Sequence, residues 1–67
     1  MSERAAVTEL LLSTGERVEV EGPLDQVEEK LVSASRGAMM ELARLVASGG
    51  STIAINPAHV VALRERQ

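Results

Sequence analysis

The run "TIAINPAHVVAL", residues 52–63, is apolar or small almost throughout, yet Asn56-Pro57 interrupts it midway. Proline has no N–H for a strand ladder, and its ring clashes inside a helix, so no single regular element runs through this point. It also drives the preceding residue, Asn56, toward extended backbone. An asparagine side chain readily bonds the backbone two residues on and so starts a turn. The run therefore divides. Thr52 to Ile55 reads as a strand with Ile53 and Ile55 on one face, expected in the core. A turn over Pro57, Ala58 and His59 re-aims the chain, and Val60 to Leu63 forms a last short strand. The closing "RERQ" is polar, and residues 65–67, like residues 1–5, are expected to fray.

Ahead of this run, "VTELLLSTGERVEVEG" reads as a β-hairpin. Arg17 to Glu21 alternate strictly, with Val18 and Val20 on one face and Arg17, Glu19 and Glu21 on the other, the period of a half-buried strand. Ser13-Thr14-Gly15 supplies the turn. The first strand has apolar groups on both faces: Leu10 and Leu12 on one, Val7 and Leu11 with Glu9 on the other. Something is therefore expected to cover the second face.

"GPLDQVEEKLVSASRG" predicts a helix over residues 23–36. Pro23 suits the first helical position, where its missing N–H costs nothing. Asp25, Glu28 and Glu29 lie toward the positive end of the helix dipole. Leu24, Val27, Leu31 and Ala34 form one apolar stripe, and Gly37 fits the position just past the end. Val32 lies off the stripe and hints at a further contact. Residues 38–47 admit two readings. Propensity favours a second helix, since Ala, Met, Glu, Leu and Arg are good formers. The alternative is a strand from about Met39 to Val46 that turns at Ser48-Gly49-Gly50 into Thr52–Asn56.

A chain of 67 residues makes one domain, and at this size only about 60 % of the unfolded surface is buried, so the core is marginal. Small domains commonly add disulfides, a metal or a partner chain. With no cysteine and one histidine, disulfides, thiolate metal sites and His-cluster sites are excluded. Oligomerisation is the remaining supplement, and neither a metal nor any other cofactor is expected. The chain has no Phe, Trp or Tyr, so it lacks the stacking platforms common in single-strand nucleic-acid readers. Its net charge of −3 makes no global basic field for phosphate or anionic membrane. No apolar stretch approaches the roughly 20 residues of a membrane span, and "MSERAAVTEL" lacks the apolar core of a signal peptide. A soluble cytoplasmic protein is the expectation, with no membrane partner and with nucleic acid disfavoured.

Chemistry-bearing residues are sparse. His59 is the sole imidazole available to activate a nucleophile, and after an Asn-Pro turn it is expected to face solvent. Glu16, Glu19, Glu21, Asp25, Glu28 and Glu29 read as a solvated acidic face, because no apolar surround is visible to raise a carboxyl pKa. "SGGST" lacks the context of a phosphate loop and reads as a plain turn. The arginines are dispersed except for Arg64 and Arg66. Met39-Met40 is an adaptable pair that suits either core filling or a partner surface. No catalytic residue is assigned.

Two segments, "TGERVEVEGPLDQVEEKLVSA" (residues 14–34) and "GGSTIAINPAHVVALRE" (residues 49–65), carry a resemblance. Their Gly turn, alternating strand, helix with a "VxxxL" stripe and hairpin ending in "INPxxV" resemble short bacterial, notably actinobacterial, proteins of unknown function. The same pieces in the opposite order are similar to the FlbD-type swarming-motility proteins. The resemblance implies a strand before the second Gly turn, and on that ground the strand reading of residues 38–47 is preferred. It implies no catalytic residues. The expected fold is α+β: a small, mainly antiparallel sheet with one helix packed on a face, in the order ββαβββ, the alternative being ββααββ. The expected function is that of a non-enzymatic structural or regulatory interaction module, acting as a homodimer or on a protein partner, with Val7, Leu11, Val32, Met39 and Met40 as contact residues. The alternative is an accessory nucleic-acid-binding regulator in which paired protomers gather their arginines.

Overall fold

Strand β1 (Val7–Leu12) and strand β2 (Arg17–Glu21) are followed by helix α1 (Leu24–Ser35), strands β3 (Ala43–Val46) and β4 (Thr52–Ile55), a 3-10 turn (Pro57–His59) and strand β5 (Val60–Arg66). The structure, a computed structural model, describes residues 6–37 and 42–66. It is a small α+β fold in the order ββαβββ. Within the ambiguous stretch, Ala43–Val46 is a strand: Ala43 and Leu45 are buried while Arg44 and Val46 are exposed, the two-residue period of a strand lying on a core. Good helix formers have yielded to pairing with β4, as propensity does when tertiary contacts oppose it. The part of that reading which falls on Met39 and Met40 lies outside the described residues.

All the pairing is antiparallel. β1 lies between β2 and β5 in a three-stranded sheet, and β3 pairs with β4 in a hairpin. A single bridge between Val20 and Ala47, with a bond from Ser48 N–H to the Glu19 carbonyl at 2.9 Å, ties the hairpin to the outer edge of β2. The turns carry left-handed glycines, Gly15 at φ 94° and Gly50 at φ 97°, where a Cβ would strain the backbone.

The core forms where α1 crosses the face of the sheet that carries Leu10 and Val20. Leu10, Val20, Val27, Leu31, Ala34, Ala43 and Leu45 are buried together. Val27, Leu31 and Ala34 are the buried residues of the helix stripe, whereas Leu24 at its start is half-buried. Thr8, fully buried, places its hydroxyl on the Gly22 carbonyl at 2.9 Å, so this core polar group is paired. Ile53 and Ile55 share the inner face of β4 as expected, but they are half-buried rather than buried, because β4 is an edge strand reaching only the margin of the core.

Two boundaries and one contact differ from the sequence expectation. Pro23 is not the first helical residue but the capping residue before it, in extended backbone at φ −72° and ψ 158°, its carbonyl accepting from the Gln26 and Val27 amides. β5 does not stop at Leu63: Glu65 pairs with Thr8 and Arg66 with Val7, so these two residues are ladder members and not a frayed end. The second face of β1 is covered by no helix or further strand among the described residues; Val7 and Leu11 are half-buried beside the charged side chains of β2 and β5.

Candidate functional site

The Asn56-Pro57 break builds one wall of the candidate site. The Asn56 side chain accepts from the Ala58 N–H at 2.9 Å, the His59 N–H bonds the Asn56 carbonyl at 2.9 Å, and Pro57 opens the 3-10 turn. This reversal delivers β5 alongside β1. On arrival the ladder carries one extra residue: Leu12 faces Val60 and Leu11 faces Ala62, which leaves Val61 as a bulge. Val61 is 64 % exposed, the most exposed large apolar side chain among the described residues.

The other wall is the flank of α1. Val32, 39 % exposed, stands with Leu24 and Leu31 across from Pro57, Val61 and Leu63, and these residues line an open groove of about 460 Å³. Val32 faces outward for a simple reason: the buried stripe runs through Val27, Leu31 and Ala34, and the next position after Leu31 is turned about 100° away from it. The groove lies beside the outer edge of β5, which pairs with β1 on one side and, among the described residues, with no strand on the other.

The direction of the free backbone groups follows from the bonds already made. The Leu12 N–H reaches the Glu16 carbonyl at 2.9 Å, and the Gly22 N–H reaches the Ala6 carbonyl at 2.8 Å, so the even-numbered residues of β1 turn their backbone groups to β2. Val7, Glu9 and Leu11 therefore turn theirs to Arg66, Arg64 and Ala62 of β5. By the alternation of an antiparallel ladder, Leu63 and Glu65 direct their N–H and C=O groups to the open edge.

The expected contact residues do not form one patch. Val32 borders the groove on the helix side of the sheet. Val7 and Leu11 lie on the opposite side, in register with Glu21 and Arg17 of β2 and with Arg66 and Ala62 of β5. Met39 and Met40 lie outside the described residues. Val61 and Leu63 are groove residues that the sequence reading did not single out for contact; the available signal was the apolar "VVAL" directly after a proline turn.

His59 is exposed, and its Nδ1 lies 3.2 Å from the Ser13 hydroxyl. The Ser13 N–H also bonds the His59 carbonyl at 2.7 Å. A hydroxyl and an imidazole thus meet, but on the open surface between two turns. Among the described residues no carboxylate bonds the ring, and the pair reads as a clasp joining the β1–β2 turn to the 3-10 turn. On the outer sheet face Arg17, Arg64 and Arg66 are interleaved with Glu9, Glu19 and Glu21, and Arg66 forms an ion pair with Glu19. Among the described residues no three His, Cys, Asp or Glu side chains gather as a metal site, and no helix is long and apolar enough to cross a membrane.

No protein family matches this chain, and no curated protein or solved structure does either.

Proposed function

We propose that the chain is a non-enzymatic interaction module that works by associating with itself. One observation carries the reading: a strand edge that is open among the described residues lies beside an apolar groove bordered by Val32 and Val61, the second of them 64 % exposed. An edge strand with free backbone groups is a template for another strand, and a 67-residue chain without cysteine gains most from a partner that completes its core. The kinship with short actinobacterial proteins suggested by the strand, helix and "INPxxV" order belongs to the same proposal, as does a cytoplasmic location.

The nucleic-acid alternative is supported by less. Three arginines share the outer sheet face, but three glutamates share it with them and one of the arginines is already paired. Salt-dependent retention on nucleic acid is its signature. Sedimentation equilibrium over a micromolar concentration series tests the main reading. A mass of twice 7.1 kDa or more supports it, and a monomer throughout the series overturns it.

A further inference from the structure

We infer that the self-association proposed above, on which this inference rests, occurs by antiparallel pairing of β5 with β5 of a second copy, centred on Leu63. The partner must be a β-strand, because the edge offers the N–H and C=O of Leu63 and Glu65 in the spacing only an extended backbone can satisfy. The edge of β5 is preferred over that of β4. β5 has seven residues against four and borders the exposed Val61 and Val32, whereas Ile53 and Ile55 of β4 already turn to their own core.

The residues along β5 select a copy of the same strand and its register. A two-fold axis through the edge keeps the helix side of one sheet continuous with the helix side of the other, so residue i must oppose a residue on its own face. Centred on Arg64, the pairing sets that arginine against itself, and directly opposed like charges are destabilising. Centred on Val61, it falls on the bulge, where the ladder is irregular. Centred on Leu63, it opposes Leu63 to its counterpart through two backbone bonds. On the outer face it sets the small Ala62 against Arg64, so no like charges are opposed there. On the helix side it brings the two Leu63 side chains together and sets Val61 against Glu65 of the second copy, which then borders the groove.

Three variants and one label test this. Val61→Glu sets a carboxylate directly against Glu65 of the second copy, a like-charge pair, at a side chain that is 64 % exposed in the single chain, so its thermal unfolding at low concentration serves as the folding control. Leu11→Glu places the same charge on the opposite sheet face. A nitroxide on Ala62→Cys, in a chain with no other cysteine, reports proximity across the axis. The expected result is a dimeric wild type, a monomeric but folded Val61→Glu, a dimeric Leu11→Glu, and dipolar broadening at position 62 that dilution with unlabelled protein removes. A dimeric wild type whose Val61→Glu variant stays dimeric, or whose label shows no broadening, overturns edge pairing and leaves self-association standing. A monomeric wild type overturns both.

Discussion

The Glu65 carboxylate accepts a hydrogen bond from the Leu24 amide at 3.1 Å, joining the penultimate residue of β5 to the first residue of α1 across 41 positions of sequence. Pro23, the residue in the capping position, has no side-chain acceptor to offer. The last strand therefore supplies from a distance the acceptor that Ser, Thr or Asp usually supplies locally, and it places a negative charge at the positive end of the helix.

Removing that acceptor has a defined cost. Glu65→Ala is expected to destabilise the fold by about 1 kcal/mol, the scale of a lost helix cap. Glu65→Gln keeps an acceptor and should cost less than Glu65→Ala. Urea melts of the three proteins check the ranking, and an Ala variant as stable as wild type would show that the contact contributes nothing.

Thr8 is the buried polar side chain of the core among the described residues, and its hydroxyl holds the Gly22 carbonyl where β2 gives way to α1. Thr8→Val preserves the shape and deletes the donor, leaving a carbonyl unsatisfied. A loss of about 1–3 kcal/mol is expected, read as a lower midpoint in denaturant at an unchanged m-value.

Core truncations should rank by burial. Leu10 is fully buried at the centre of the cluster, and Leu10→Ala should cost about 2–5 kcal/mol. Ile55, half-buried on an edge strand, has less to lose, so Ile55→Ala should be the milder change. Calorimetric unfolding of both variants would expose a misplaced core if the order came out reversed.

At the Asn56-Pro57 break, Asn56→Ala deletes the acceptor for the Ala58 N–H and should cost about 1 kcal/mol. His59→Ala should cost about 0.5 kcal/mol or less, since its ring is exposed and the bond from Ser13 N–H to the His59 carbonyl does not depend on the side chain. Chevron or equilibrium melts decide between this order and its reverse, which would make the imidazole the structural element of the turn.

Several features were legible from residue order because their causes are local. The alternation of Val18 and Val20, the stripe through Val27, Leu31 and Ala34, and the inability of Pro57 to continue a ladder are properties of a few consecutive residues. They sufficed to place the first hairpin, the helix and the turn that divides the last apolar run. Val32 was legible as an outlier of the stripe for the same reason.

What covers what was decided by the tertiary structure. Ala43–Val46 became a strand because β4 pairs with it, against its helical propensity. Glu65 and Arg66 were held in the ladder by Thr8 and Val7, far from the polar tail their composition suggested. Val61 was turned outward by a bulge that depends on where β1 ends and the 3-10 turn begins, and this set the groove beside α1 and not on the face carrying Val7 and Leu11. Each outcome depends on partners 6 to 59 positions away, from Val46↔Thr52 at the nearest to Val7↔Arg66 at the farthest, and backbone hydrogen bonds between them choose among arrangements that the local side-chain pattern leaves equal.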